Sequence, residues 1–472
     1  MTDRPERRIR PLLPRWLGVS AVIALPLLAW WVASLPGGVT YDTVYVWDQI
    51  QTGHWGNHHP APYVAWLWLT SLGGHTLATA SLADVLVLAA SLGWLVDSVR
   101  RVATATRAYA VAFAVVLALA IAPLLGAFSV MLWKDVPATA ALAVLAGIAL
   151  RLSASDGISR RLLVVMTAAG LAVSLLRWNG VLTDAVIAVT VLLTGPLRRR
   201  LLPAAVLAAV GAAGFGIVTV IPSITPVAAA PKVDSAVQTL ADLAQWSARD
   251  PQDLTEADWR VLRSAAPPIA WTWPGRHSCE VVDPTLYAER DAGADVTQQL
   301  SHLSSLWRRL VRRDPAALLR FRLCRTHLAW LPWDSPKSAP IITVVAGVPD
   351  NGYGLHEQSP RWLRSLADRA RSLDHKRWVQ AIFWRPAGWL VALLVLGLLA
   401  HRRDRRWRQF AGWFAVPLGA VVSYAAFPSS QDARYTYAAV VVAQLGCATY
   451  LATLLRRGPV PAIGQDSLKS AL

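Results

Sequence analysis

The sequence predicts an all-α polytopic membrane protein, a bundle of about ten transmembrane helices with a mainly helical extracytoplasmic domain. Three observations predict it. Apolar runs of about 20 residues, long enough to cross a bilayer, recur from one end of the 472-residue chain to the other. Only 16% of the residues are charged and the mean hydropathy is +0.39, whereas soluble domains carry roughly a quarter charged residues. Finally, the basic residues stand as short Arg clusters between apolar runs, the pattern of cytoplasmic loops. That placement argues against nucleic acid as a partner, which a net charge of +17 would otherwise invite. Many of the 23 Trp stand at run ends, where an interfacial aromatic belt needs them.

In chain order, the basic N-terminal stretch RPERRIRPLLPR is expected on the cytoplasmic side. Run 16–35 resembles a signal peptide, but it is too long and no small-x-small site follows, so it reads as an uncleaved anchor. Residues 36–75 then form the first outer loop. In it Thr40 fits an N-cap, which puts Asp42 in a first helical turn, where the dipole favours a carboxylate. Asp42, Tyr45 and Gln49 fall on one face at i, i+3 and i+7, with Asp48 well off it. His59-Pro60 is expected to break that helix, and 61–72 to form a short interfacial or re-entrant helix. Further spans are expected at 76–99, 108–128, 136–150, 162–176, 181–197, 201–221, 378–400, 410–427 and 437–455. This register puts Arg100, Arg151, Arg198 and Arg402, with their basic neighbours and both termini, on the cytoplasmic side.

The expected domains are an N-terminal transmembrane region (1–221), an extracytoplasmic helical domain (222–377), a C-terminal transmembrane region (378–457) and a cytoplasmic tail (458–472). Within 222–377, Asp314-Pro315 and Ser359-Pro360 each fit an N-cap with proline at the first helical position. Apolar spacing over 300–330 is helical, and no run alternates with period two. The three cysteines are Cys279, Cys324 and Cys447, without metal-ligand spacing. Cys279 and Cys324 either pair in an oxidising compartment or are unrelated buried thiols.

Four outer ends of this topology carry polar groups beside Trp, Tyr or Gly: Asp42 with His58 and His59, Lys134 with Asp135, Arg177 with Asn179, and Arg434 with Tyr435. Any one of them alone reads as a charge snorkelling at a span end. Their convergence points to a site, and an acid among several cations suits binding a lipid phosphate and removing a proton. Asp97 and Asp184 are weaker candidates, the first near a cytoplasmic end and the second placed to pair with a neighbouring helix.

Tyr41-Asp42 followed by His58-His59-Pro60 resembles the membrane glycosyltransferases of the GT-C superfamily, most of all its protein-mannosyltransferase-like and related bacterial branches. Trp133-Lys134-Asp135, Arg177-x-Asn179-Gly180 and Arg434-Tyr435 resemble motifs at matching places, over about 16–211 and 378–455. The resemblance implies inverting transfer of a sugar from a polyprenyl-phosphate carrier to an extracytoplasmic acceptor, with membrane lipid as a further partner and no cofactor. It implies Asp42 as the catalytic base. Arg434, Lys134 and Arg177 would meet the phosphate, His58 or His59 the phosphate or sugar hydroxyls, and Asp135, Asn179, Tyr435, Tyr45 and Gln49 would complete the binding set. The acidic pair usual after the tyrosine is Asp42-Thr43 here, so the motif does not support a divalent metal. Two other readings stay open: a transporter or flippase of a lipid-linked envelope precursor, although no internal repeat is visible, and a non-catalytic envelope assembly protein. Lysine stands only at 134, 232, 337, 376 and 469, so nearly all of the 46 basic residues are Arg. That bias fits a GC-rich bacterium and hence a bacterial plasma membrane.

Overall fold

The computed structural model describes residues 14–102, 106–155, 157–277, 296–333, 347–404, 407–427 and 433–455. Among these residues the regular structure is helical, and β pairing is confined to two isolated bridges, Gly38 with Met131 and Gly56 with Ala228. In order the α-helices are α1 (Arg15–Ala33), α2 (Tyr41–Thr52), α3 (Ala61–Thr70), α4 (Leu77–Val102), α5 (Thr106–Ile121), α6 (Pro123–Ser129) and α7 (Asp135–Ala154). Next come α8 (Arg160–Leu176), α9 (Gly180–Leu192), α10 (Leu197–Ile224), α11 (Lys232–Arg249), α12 (Glu256–Ala265), α13 (Pro268–His277), α14 (Val296–Arg313) and α15 (Pro315–Arg325). The last are α16 (Arg361–Arg371), α17 (Arg377–Phe383), α18 (Pro386–Asp404), α19 (Trp407–Ala426) and α20 (Tyr437–Leu454).

Six of these, α1, α4, α7, α10, α19 and α20, are long and apolar enough to cross a membrane. The pairs α5–α6, bent by 70°, and α17–α18, bent by 51°, bring the number to eight if each is one span. Both bends fall where proline opens the second limb, Pro123 and Pro386, because proline has no N–H to continue the ladder and its ring crowds the preceding turn. The other two expected spans correspond to α8 and α9, of 17 and 13 residues, packed within the bundle against α7, α10 and α19. At about 20 Å, α9 is shorter than the hydrocarbon layer. Apolar run length alone counted it as a full crossing.

The main core lies among α4, α7, α19 and α20, with Leu88, Leu92, Ile148, Val416 and Val441 buried. A separate core, with Leu240, Trp246, Trp271, Leu306 and Phe321, joins α11 to α15. A third, small core seats α2 and α3: Val46, Trp47, Val64 and Leu67 pack on Leu132 and Leu176 at the ends of the bundle helices. Replacing Trp47 by Ala would remove about 3–5 kcal/mol of packing there.

Local chemistry sets the helix ends. Asp314 Oδ1 accepts from Ala317 N at 2.8 Å and caps α15, as its sequence implies. Two expectations shift. Pro360 itself is the N-cap of α16, with no side-chain cap bond, so Ser359 stands one residue outside. And α2 stops at Gly53, in the left-handed region at φ 72, well before His59-Pro60; Pro60 instead precedes α3 as its N-cap.

Candidate active site

The site grows from the α2 N-terminus. Thr43 N donates to Thr40 Oγ1 at 3.4 Å and Thr40 N to Thr43 Oγ1 at 3.1 Å, a capping box closed by two threonines. Trp133 Nε1 donates to the Thr40 hydroxyl at 3.0 Å, and the Thr43 hydroxyl donates to Leu132 O at 3.2 Å. Below it, Gly38 N donates to Val130 O at 2.8 Å and Leu132 N to Gly38 O at 3.1 Å. A Cβ on Gly38 would meet Met131 Sδ at 2.1 Å, so any larger residue would force the buried Met131 side chain to move. The segment 36–43 is thus bonded to the one that opens α7, and Trp133, Lys134 and Asp135 are delivered beside Asp42.

With the threonines capping α2, the Asp42 carboxylate turns to Arg434, whose Nη1 donates to Oδ2 at 2.8 Å. Arg434 sits on the 3-10 turn Ala433–Tyr435 ahead of α20 and lies over the rings of Trp133 at 4.9 Å and Tyr435 at 5.3 Å. Its Nε is also 3.9 Å from Asp135 Oδ2, and Arg177 Nε is 3.5 Å from Asp135 Oδ1. Asp135 is fully buried and neither of its oxygens takes a hydrogen bond among the described residues, so two arginines at ion-pair distance hold it. Arg177 Nη1 donates to Tyr435 O at 3.4 Å.

Lys134 Nζ is 3.1 Å from His59 Nδ1. An ammonium only donates, so Nδ1 accepts and the ring proton belongs on Nε2. Burial, then Lys134, holds His59 well below the usual imidazole range, and the ring is neutral at pH 7. Burial also pushes the Lys134 ammonium down, partly opposed by Asp135. For Asp42, burial pulls upward, but the Arg434 guanidinium, through its charge and its hydrogen bond, and then Lys134 outweigh it and hold the carboxyl at about 2. Its side chain is 41% exposed, so it is the accessible acid of the cluster.

The structure therefore brings together Asp42, His59, Lys134, Asp135, Arg177, Arg434 and Tyr435 from five separate stretches of chain. Tyr45 packs edge-on to His58 at 5.4 Å and His59 at 5.9 Å. The His58 carbonyl accepts from Trp178 Nε1 at 3.4 Å. The Asn179 carbonyl accepts from Ser423 Oγ at 2.8 Å, while its side chain makes no cap bond to α9. Gln49 is diverted: it is buried and accepts from Gly56 N at 2.7 Å, so it shapes the turn after α2. The i+7 spacing had put it on the Asp42 face, but the chain folds back over that end of the helix.

Sequence reasoning passed over Tyr63 and assigned Asn57 no role. Tyr63, buried beside His59, donates to Leu132 O at 2.6 Å. Asn57 Oδ1 accepts from Ala61 N at 2.9 Å and its Nδ2 donates to Val218 O at 2.8 Å, tying the loop to α3 and α10. An Asn four residues ahead of a helix start was the available signal. Asp184 accepts from Ser174 Oγ at 2.6 Å, and Asp97 binds Arg100, Arg101 and Arg151 at the other end of the bundle. Among the described residues no group of three or more His, Cys, Asp or Glu could hold a metal ion. Within the site, Asp42 and Asp135 are bridged by the Arg434 guanidinium. Cys324 is disulfide-bonded, Cys447 is a free buried thiol, and Cys279 lies outside the described residues.

No family model matches the chain, and no curated protein does. Among solved structures it is similar to the crystal structure of ArnT from Cupriavidus metallidurans bound to undecaprenyl phosphate, at 17% identity and a TM-score of 0.35 over 92% of this chain and 77% of that one. A likeness this distant transfers no residue roles.

Proposed function

We propose that the chain is an integral membrane glycosyltransferase of the GT-C kind, moving a sugar from a polyprenyl-phosphate donor to an extracytoplasmic acceptor with inversion. The observation that carries this reading is the Asp42–Arg434 pair, one accessible carboxylate set among Arg434, Lys134 and Arg177 at one end of a membrane bundle. A phosphate leaving group needs charge stabilisation more than protonation, and these cations supply it. Asp42 Oδ takes the acceptor hydroxyl proton as the oxygen attacks the anomeric carbon. The bond from that carbon to the phosphate oxygen breaks on the opposite side, and the phosphate leaves with the electron pair.

The ground-state geometry adds a control. A carboxyl held at about 2 is a weak base. A donor phosphate competes for Arg434, and when it takes the guanidinium, Asp42 rises toward the ordinary carboxylate range. One arginine thus couples donor binding to base activation.

Orientation follows from charge. Asp135 and Arg151, at opposite ends of α7, are about 24 Å apart along the axis. The Arg151 end also carries Arg100 and Arg101, and positive-inside bias supports reading it as the cytoplasmic end, with the site facing outward. A cysteine at Arg199 labelled by an impermeant reagent from outside would overturn that orientation.

The function is tested with purified protein in vesicles and a polyprenyl-phosphate sugar donor. Release of free polyprenyl phosphate that depends on an acceptor and is lost in Asp42→Asn is expected. Donor movement across the bilayer with the sugar still attached, unchanged by Asp42→Asn, would replace the enzyme with a transporter.

A further inference from the structure

Far from the Asp42 cluster in sequence, α16 has a composition that its place in the fold does not use. Stretch 361–377 carries six cations, Arg361, Arg364, Arg369, Arg371, Lys376 and Arg377, against two acids. One face of α16 packs inward through Ala367 onto α6 and the end of α1. The opposite face shows large apolar side chains that no described residue covers: Trp362 is 71% exposed and Leu366 59%, and just beyond the helix Trp378 is 59% exposed. Trp362, Leu366 and Arg369 form one stripe at i, i+4 and i+7. An apolar stripe edged by arginines is the make-up of a helix lying in a lipid interface.

Its depth is set by two span ends. Arg371 Nη2 donates to Ser34 Oγ at 2.6 Å, just past the last turn of α1. Gln358 N, ahead of α16, donates to Leu35 O at 2.9 Å. On the other side the 3-10 turn Ser372–His375 leads into α17, the first limb of the bent pair α17–α18. A helix held between the end of one span and the start of another lies at headgroup level. There a bilayer covers the Trp362–Leu366 stripe, and lipid phosphates answer the arginines.

We propose that α16 is an interfacial anchor that rests on the membrane and selects anionic lipid headgroups through Arg361 and Arg369. The selection is by phosphate charge at the rim, and the apolar stripe supplies the insertion. This reading requires only that the chain spans a membrane, and it stands or falls apart from the transferase chemistry.

The test places the photo-reactive residue benzoylphenylalanine at position 362 or, independently, at 366 of the full chain. The protein is reconstituted in vesicles of phosphatidylcholine mixed with phosphatidylglycerol, and the cross-linked species are read by mass spectrometry. Position 263 on α12 serves as the control. Both test positions should capture lipid well above the control, with phosphatidylglycerol favoured over its share of the mixture. Arg361→Gln and Arg369→Gln should each lower that preference about fivefold, the worth of one cation near an anionic surface. Two probe positions keep the test decisive if one variant fails to fold. Lipid capture no greater than at position 263, or capture in proportion to abundance, would overturn the proposal. So would capture of a protein in place of lipid in native membranes.

Discussion

Arg434 Nη1 lies 2.8 Å from Asp42 Oδ2, an ion pair between residues 392 positions apart that joins α2 to the turn before α20. The same guanidinium stacks on Trp133 and approaches Asp135, so one side chain holds three parts of the site in register.

Asp42→Asn should separate chemistry from structure. Thr40 and Thr43 close the α2 N-terminus, so Asn at 42 leaves the cap intact. We expect a folded protein that binds donor but turns over roughly a hundredfold or more slowly. Asp48→Asn removes only the charge of an exposed acceptor for the Tyr353 hydroxyl and should leave turnover close to wild type. A normal transfer rate in Asp42→Asn would end the assignment of Asp42 as the base.

Arg434→Lys keeps the charge but loses the planar fork and the stacking on Trp133 and Tyr435. Donor affinity should fall roughly tenfold or more, since a hydrogen bond to a charged group is worth about 1.5–3 kcal/mol. Unchanged donor affinity and turnover would reduce Arg434 to an arginine resting at the interface.

The depressed Asp42 carboxyl has a signed consequence for stability. Its folded value of about 2 lies below the ordinary value of about 3.9, so between them the unfolded chain binds more protons than the native one. The pair stabilises above about pH 4, and that contribution is lost as pH falls toward 2. Melting curves against pH should therefore be flatter over this window in Asp42→Asn. For catalysis, the acid limb of kcat, which reports the donor complex, should lie at higher pH than that of kcat/KM. Coincident limbs would show that the donor does not draw Arg434 away from Asp42.

Peptide mapping without reduction should recover a disulfide-linked peptide containing Cys279 and Cys324. In the chain-entropy picture such a loop contributes about 4 kcal/mol, so Cys324→Ser should lower the melting temperature of the α11–α15 core. Recovery of both thiols alkylated without prior reduction would rule the bridge out.

What could be read from sequence was local or one-dimensional. Apolar run length and low charge determined the helical membrane class, and the Arg clusters set the expectation of a register with one basic side. Caps set within four residues, Thr40 and Asp314, were legible for the same reason. The bends at Pro123 and Pro386 and the shortness of α9 were not, because run length does not register where a ladder breaks or a polar turn dips into the bundle. Tertiary structure alone decided which polar groups meet. The sequence marked Asp42, His59, Lys134, Asp135, Arg177 and Arg434 as separate outer ends. Helix packing paired Asp42 with Arg434, set Lys134 on His59, suspended Asp135 between two arginines and turned Gln49 toward Gly56. Periodicity reports which face of a helix a residue occupies. It carries no information on which distant helix, 75 or 392 residues away, packs against that face.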